Sequence, residues 1–252
     1  MTHPRAKIAF FDFAGCEGCQ LTVLDTLQTH PELLQAVEIL EFRESMSERE
    51  DGYEIAFIEG SCVWPMDEER LRKIRAQAKI VVALGACAHI AGVNSIRRSM
   101  SPEKAAEIVY GREVQNYVTK SARPIDAIIP VDAVLPGCPI DRHEFLRAVS
   151  MLLQGTLPQI PSDPVCVECR LDENRCLLLR GQACMGPITR GGCGAICPAF
   201  GVGCEGCRGM LADMNFEGLR EQFLANGLSL ADFERRISMF LSEQTPTLQV
   251  RA

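Results

Sequence analysis

The sequence predicts an α/β protein in which a parallel, doubly wound sheet is followed by a small, loop-rich, cysteine-rich domain. Short apolar runs alternate with helical patterns over residues 1–157. A proline-rich segment follows, and eight of the 13 cysteines then fall within residues 166–207. Strands that alternate with helices are typical of parallel sheets with helices on both faces. The predicted fold class is therefore α/β, with a flavodoxin-like first domain.

Five runs rich in β-branched and aromatic residues predict buried strands. They cover residues 7–13, 37–42, 53–60, 79–85 and 127–135, and Pro130 interrupts the last of them. Helical spacing follows the first strand over residues 20–30, where Leu21, Leu24 and Leu27 recur. Four further helices are predicted, each with an N-cap residue. The first runs from Asp67 to about residue 78, the second begins at Ser101, the third runs from Asp141 to about residue 154, and the fourth covers residues 230–241 after Ser229.

Four cysteines follow predicted strands at three separate strand-to-helix junctions, and these are Cys16, Cys19, Cys87 and Cys138. The carboxyl ends of parallel strands share one edge of a sheet, where α/β proteins bind their ligands. Four thiolates can therefore converge there on one cofactor, and the N–H groups at the start of the first helix favour an anionic group. The alternative is that Cys87 and Cys138 are separate buried thiols.

The second group of cysteines contains eight residues, which are Cys166, Cys169, Cys176, Cys184, Cys193, Cys197, Cys204 and Cys207. The segment opens and closes on a C-x2-C pair, which puts two thiolates on one side of a short loop. Eight sulfurs make two sets of four, each able to surround a metal or an iron–sulfur cube. Structural zinc is the competing interpretation, since C-x2-C pairs also build zinc ribbons. Disulfides are disfavoured, because the start of the chain lacks a signal peptide and cytosolic thiols stay reduced.

Composition limits the function classes that remain. The 252 residues, 47% of them hydrophobic, suit one large or two small domains, and the proline-rich segment 157–164 predicts domains at 1–157 and 158–252. The net charge of −7 argues against a nucleic-acid partner. No apolar run is long enough to span a bilayer and no signal peptide begins the chain, so we expect a cytoplasmic location without a direct membrane span.

Four motifs resemble those of a known family. The pair Cys16-x2-Cys19, the tetrapeptide GACA at 85–88 and the tripeptide GCP at 137–139 resemble the proximal-cluster motifs of [NiFe]-hydrogenase small subunits. The segment 166–207, which contains GPITRGGC at 186–193, is similar to that of the cytoplasmic multisubunit hydrogenases. These include the sulfhydrogenase delta subunit and the small subunits of coenzyme-F420-reducing and non-reducing hydrogenases.

The resemblance implies an electron-transfer subunit with three [4Fe–4S] clusters, which relays electrons between the nickel–iron site of a separate large subunit and a redox partner. It implies a proximal cluster on Cys16, Cys19, Cys87 and Cys138. The simplest sequential partition then gives a distal cluster on Cys166, Cys169, Cys176 and Cys184 and a medial cluster on Cys193, Cys197, Cys204 and Cys207. Ferredoxin-type domains can exchange a ligand between clusters, so other partitions of these eight residues stay open. The expected redox partner is a flavin or iron–sulfur subunit that serves NAD(P), F420 or ferredoxin.

The chain departs from parts of that family in ways that bear on its clusters. Membrane-linked uptake relatives have a histidine as first distal ligand and a proline at one medial position, and Cys166 and Cys197 fill those positions here. The related quinone-reductase subunit of respiratory complex I uses adjacent cysteines, whereas this sequence has no adjacent pair. Cys62, the thirteenth cysteine, is expected to be structural. The rival functions are a zinc-stabilised interaction module and an iron–sulfur subunit of an oxidoreductase unrelated to hydrogen.

Overall fold

The computed structural model describes residues 5–111, 113 and 120–245. The chain forms two compact units, Met1–Ile160 and Pro161–Ala252. The division between them falls inside the proline-rich segment 157–164. The first unit holds the β-sheet and five of the cysteines, and the second holds the other eight.

The first unit is built on five parallel strands, β1 (Ala6–Asp12), β2 (Val37–Phe42), β3 (Ile55–Glu59), β4 (Ile80–Leu84) and β5 (Ala133–Leu135). Their order in the sheet is β2-β1-β3-β4-β5, and every neighbouring pair is parallel. This is the doubly wound order in which the direction of winding reverses between β1 and β3. The predicted α/β class with a flavodoxin-like sheet is confirmed.

The helices described in this unit are α1 (Gly18–Thr29), α2 (Leu33–Ala36), α3 (Pro65–Gln77), α4 (Gly85–Ile90), α5 (Pro102–Tyr110) and α6 (Arg142–Leu153). Successive strand side chains point to opposite faces of the sheet. Ile8 and Phe10 of β1 lie in an apolar core with α1 and α6, whereas Ala9 and Phe11 lie in a second core with α3 and α4. Burial on both faces explains why the central strands β3 and β4 are nearly continuous apolar runs.

Phenylalanines fill much of the first core. The ring of Phe10 stacks on Phe57 with a centroid distance of 4.9 Å and lies 4.4 Å from Phe42 and 6.5 Å from Phe145. All four residues are almost completely buried. Because truncation of a buried phenylalanine typically costs about 3–5 kcal/mol, this cluster stabilises β1, the strand that precedes the first cysteine pair.

The predicted last strand is wrong in its extent. The sequence predicts it over residues 127–135, but β5 covers only Ala133–Leu135, and Ile125–Ala127 form a 3-10 turn. Pro130 lies between them and has no N–H group to donate to a neighbouring strand. The side chain of Asp132 instead pairs with β4 before β5 begins, because its Oδ2 accepts the backbone N–H of Val81 at 2.7 Å.

The second unit consists of short helices and loops, and its described helices are α7 (Val165–Leu171), α8 (Ile196–Ala199), α9 (Phe216–Ala225) and α10 (Leu230–Phe240). The C-terminal helices pack through Phe223 of α9 and Phe233 of α10, whose ring centroids are 5.0 Å apart. Cys166 and Cys169 lie on α7, so the prediction that this C-x2-C pair forms a loop is wrong. No helix among the described residues is both long and apolar enough to cross a membrane.

Three predicted N-caps are confirmed and one is wrong. The side chains of Ser101, Asp141 and Ser229 accept the backbone N–H of the residue three positions later at 3.2, 2.8 and 3.1 Å. Helix α3 instead begins two residues before Asp67. The Asp67 carboxylate accepts the backbone N–H of Trp64 at 2.8 Å and acts from inside the first turn, as the acid of a capping box does.

Candidate metal centres

Four cysteines lie at the carboxyl edge of the sheet. Cys16 follows β1, Cys19 lies in the first turn of α1, Cys87 lies on α4 directly after β4, and Cys138 follows β5. The last two segments are joined by the backbone N–H of Ala86, which donates to the carbonyl of Gly137 at 2.7 Å. The parallel order of β1, β3, β4 and β5 therefore brings three separate strand-to-helix junctions to one edge.

Two glycines allow the chain to approach these thiols closely. A Cβ at Gly85, which has a φ of 83°, would overlap the Sγ of Cys19. A Cβ at Gly18 would lie 3.3 Å from the Sγ of Cys16. Only glycine adopts the conformation at position 85 without strain, so a side chain there would fill the space between the cysteine segments.

The environment of Cys19, Cys87 and Cys138 raises their pKa values and so disfavours the charged thiolate when no cation is bound. Burial, followed by the nearby thiols of Cys138 and Cys16, raises the pKa of Cys87 to about 12. Burial and repulsion from Glu59 also raise the pKa of Cys19. A thiol binds metal as the thiolate, and a metal offsets this repulsion, so loading of the site must release protons. Cys16 and Cys138 are exposed, which leaves the site open on one side.

Glu59 is a buried acid that sequence reasoning missed. It ends β3, is 3% exposed, and its carboxylate accepts the backbone N–H of Cys19 at 3.0 Å and of Gln20 at 2.8 Å. These bonds hold the start of α1 against the neighbouring strand. Burial raises the pKa of Glu59, and the two N–H bonds oppose that rise. The available signal was a charged residue at the end of an otherwise apolar strand.

Glu17 lies between the first two cysteines in a left-handed conformation with a φ of 61°. Partial burial, followed by repulsion from Glu59 and Asp12, raises its pKa to about 7. A hydrogen bond from the side-chain amide of Gln20, at 2.8 Å, opposes the shift. The residue therefore changes its charge near neutral pH, at the rim of the four-cysteine site.

Replacing Glu17 with glutamine should stabilise the chain at pH 8 and leave its stability nearly unchanged at pH 4.5. Between the ordinary carboxyl pKa of 4.5 and the raised value of about 7, the folded state binds more protons than the unfolded state. Stability therefore falls as pH rises through this window, and Glu17→Gln removes that fall. The check is the thermal unfolding midpoint of both proteins across the window. The exposed Glu48→Gln is the charge-matched control, and a parallel pH dependence in Glu17→Gln and the wild type would contradict the expectation.

In the second unit, four cysteines line one cavity of about 210 Å³, and these are Cys166, Cys169, Cys176 and Cys184. Burial, followed by the thiols of Cys184, Cys169 and Cys176, raises the pKa of Cys166 to about 12. A Cβ at Gly186 would lie 3.4 Å from the Sγ atoms of both Cys166 and Cys184. One water molecule needs only about 10–15 Å³, so the cavity has room for a group of several atoms, and its donors suit an iron–sulfur cube.

The remaining four cysteines form two pairs beside that cavity. Burial and the thiol of Cys193 raise the pKa of Cys197, and Cys184 adds to the shift. Burial also raises the pKa of Cys204, with Cys184 and Cys207 adding to it. The backbone N–H of Cys204 donates to the Sγ of Cys184 at 3.2 Å. Cys184 thus lies next to members of both predicted sets, and the partition into distal and medial ligands stays a prediction.

Two observations complete the inventory of cysteines. Across the described parts of the chain, no group of three Cys, His, Asp or Glu side chains is arranged to bind a single metal ion, so the four-cysteine sites are candidates for a larger group with several iron atoms. Cys62 follows β3 and is completely buried in the second apolar core, with its Sγ 3.6 Å from Nη2 of Arg123. Burial raises the pKa of the Cys62 thiol, with Arg123 opposing. These contacts agree with a structural residue.

The sequence and structure were compared with those of known proteins. Residues 16–152 match the family described as NADH ubiquinone oxidoreductase, 20 Kd subunit. The chain is 34% identical over 217 residues to Sulfhydrogenase 2 subunit delta of Pyrococcus furiosus, which covers 85% of this chain and 91% of the relative. It is 30% identical over 245 residues to a subunit of the F420-non-reducing hydrogenase of Methanococcus voltae, which covers 85% of each. A chain in the crystal structure of an NAD+-reducing [NiFe]-hydrogenase shares 29% identity with a TM-score of 0.57, over 63% of this chain and 96% of that chain.

These similarities include the residues of the first candidate site. The family match spans more than half of the chain and contains Cys16, Cys19, Cys87 and Cys138. The sulfhydrogenase relative extends the similarity across most of the sequence. The resemblance to hydrogenase small subunits is therefore confirmed. The chain belongs to the family of the NADH ubiquinone oxidoreductase 20 Kd subunit, and within it to the oxidoreductase subunits of the [NiFe]-hydrogenase small-subunit type.

Proposed function

We propose that the chain relays electrons through three [4Fe–4S] clusters, between the nickel–iron site of a hydrogenase large subunit and a redox-partner subunit. A domain formed by residues 1–157 would hold the proximal cluster, and a domain formed by 158–252 would hold the distal and medial clusters. Each cluster, when bound, takes up and passes on a single electron. The protein's own residues fix the ligands, exclude water and set the charge around the sulfurs.

The observation that carries the proposal is the gathering of cysteines into separate polythiol sites. Cys16, Cys19, Cys87 and Cys138 come from three junctions at one sheet edge, and burial followed by nearby negative groups raises the pKa of Cys19, Cys87 and Cys138. Four more cysteines line a cavity with room for a polyatomic group. Thiolates at such density repel one another, and a positively charged iron core offsets that repulsion. A disulfide or an inert core thiol does not require such an arrangement.

The exposure of the proximal site supports a large-subunit partner. Cys16 and Cys138 are exposed although Cys19, in the same site, is buried. Burial in a low-dielectric environment is one of the factors that set the potential of an iron–sulfur cluster. A large subunit that covers this edge would complete that burial next to its own nickel–iron site. One of the similar proteins is named as NAD+-reducing and another as F420-non-reducing, so the names do not point to a single acceptor. We assign the far end of the relay to a flavin or iron–sulfur subunit, in a cytoplasmic complex.

Anaerobically purified chain should contain about twelve iron and about twelve sulfide, because three cubes each contain four of both. It should be brown, whereas a zinc protein is colourless. Iron and sulfide analysis with visible absorbance provides the measurement. A reproducible content of about eight iron would show that one of the three sites is misassigned, and stoichiometric zinc would exclude the electron-transfer function.

Co-purification tests the hydrogenase assignment itself. The chain isolated from its native source under gentle conditions should bring with it a larger, nickel-containing subunit. Removal of that subunit should remove the nickel and leave the iron of this chain in place. Purification with a nickel-free oxidoreductase subunit instead would support an iron–sulfur protein unrelated to hydrogen.

A further inference from the structure

The loop that carries Cys193, residues 190–195, is held by backbone hydrogen bonds to two other segments. The N–H of Gly191 donates to the carbonyl of Asp163 at 2.8 Å, and the N–H of Arg190 donates to that of Gly209 at 3.0 Å. We call residues 190–195 the Cys193 loop. These bonds fix the start of the loop, whereas the N–H groups of the half-buried Gly192 and the buried Ala195 require another acceptor.

That acceptor is the side chain of Glu168. Its Oε1 accepts the backbone N–H of Gly192 at 2.5 Å, and its Oε2 accepts the N–H of Ala195 at 3.2 Å. The same Oε2 is 4.0 Å from the Sγ of Cys193. A Cβ at Gly191 would lie 3.4 Å from the carboxyl carbon of Glu168, so the loop packs directly on this side chain. One carboxylate therefore holds the N–H groups on both sides of Cys193.

Arg208 holds the same loop through a carbonyl. It is 1% exposed, and its Nε donates to the carbonyl of Gly191 at 2.7 Å. Gly192 has a φ of 111°, and a Cβ there would overlap Nη2 of Arg208. Arg208 directly follows Cys207, and Glu168 lies between Cys166 and Cys169. Each of the two C-x2-C pairs in this unit thus supplies a charged side chain that binds the Cys193 loop.

We infer that Glu168 is a positioning residue that ties the Cys193 loop to the helix carrying Cys166 and Cys169. The position of one medial ligand, Cys193, then depends on the helix that carries two distal ligands. The inference rests on the proposed three-cluster function. A carboxylate suits this role because both of its oxygens are acceptors. A glutamine has one acceptor oxygen, and its NH2 group would face one of the two N–H donors. The negative charge of Glu168 beside Cys193 also disfavours the addition of an electron at that site.

The test compares Glu168→Ala, Glu168→Gln and Glu168→Asp in the complete iron-loaded complex. Glu168→Ala should lose the medial cluster, with a fall of about four iron out of about twelve, and keep the distal and proximal signals in electron paramagnetic resonance. Glu168→Gln should retain more iron and shift the medial midpoint potential to a more positive value. Glu168→Asp, which keeps the charge on a shorter side chain, should recover the wild-type potential in part. The exposed Glu234→Ala on α10 is the matched control and should leave iron and potentials unchanged.

Amide hydrogen exchange separates this inference from the proposed function. In iron-free chain, Glu168→Ala should accelerate exchange at Gly192 and Ala195 by about tenfold or more, because each loses a charge-assisted hydrogen bond. If the wild-type protein binds no clusters, the proposed function fails. The exchange experiment then still tests whether Glu168 holds the N–H groups of the Cys193 loop. If the wild type carries three clusters and Glu168→Ala keeps all three at unchanged potentials, the positioning role is overturned and the electron-relay function stands.

Discussion

Cys87→Ala should lose the proximal cluster and with it nearly all hydrogen-dependent reduction of an external acceptor. The iron content should fall by about four of twelve, because a single cube contains four iron. Activity should fall by more than the roughly 10- to 100-fold that loss of an outer-shell partner of a metal costs, since the proposed electron route begins at this site. The measurements are iron analysis, electron paramagnetic resonance and hydrogen-driven dye reduction by the complex with its large subunit.

Cys62→Ala is the matched control, because it makes the same substitution in the same unit. Cys62 is completely buried, and its Sγ contacts Nη2 of Arg123 at 3.6 Å. Loss of this small side chain should cost about 1 kcal/mol of stability and leave iron content and activity unchanged. If Cys87→Ala keeps the full iron content, the proximal assignment fails. If both variants lose the same iron, the loss reports a general disturbance of the unit and not a ligand.

Cys197→Pro should convert the medial cluster to a [3Fe–4S] cluster held by Cys193, Cys204 and Cys207. The substitution suits the backbone, because Cys197 is the second residue of α8 and N–H groups of a first helical turn have no partner within the helix. Loss of one iron and its thiolate changes the type and charge of the cluster, two factors that set its potential. We expect a more oxidising medial site that traps electrons and slows proton reduction more than hydrogen oxidation.

Electron paramagnetic resonance of the oxidised variant should show a new three-iron signal, with the other two clusters intact. Cys197→Ala removes the same thiolate without adding a proline ring, so equal spectra would assign the effect to the lost ligand. The result is informative because Cys184, a predicted distal ligand, lies close to two predicted medial ligands. Its thiol adds to the raised pKa of both Cys197 and Cys204. Loss of the distal cluster in Cys197→Pro, or retention of three four-iron cubes, would contradict the assignment of Cys197 to the medial site.

Local pattern was sufficient to predict much of the first unit. The run at 37–42 matches β2 residue for residue, and Ser101 caps α5 as its position before Pro102 indicates. Both features depend on residues that are neighbours in sequence, and burial on both faces of the sheet makes the central strands β3 and β4 plainly apolar. The cysteine motifs are local as well. Their spacing and their place after strands were therefore enough to indicate the family and the thiols available at the sheet edge.

Local pattern did not predict which charged side chains hold the cysteine segments in place. Glu59 is 40 residues from Cys19, and Glu168 is 24 residues from Gly192. In the sequence each is an ordinary acid, one at a strand end and one inside a C-x2-C pair. Their roles arise from burial and from contact across the folded chain, which depend on how the loops pack and not on spacing.

Cys184 shows the same limit within the ligand set. Order along the chain assigns it to the distal group with Cys166, Cys169 and Cys176, and it does line their cavity. Only the fold places its Sγ 3.2 Å from the backbone N–H of Cys204, at the boundary of the second group. Sequence thus specifies the sheet, the caps and the supply of thiols, because these depend on residue type and local period. Tertiary packing decides which thiols and acids meet, because interactions through space between distant segments exist only once the loops are folded.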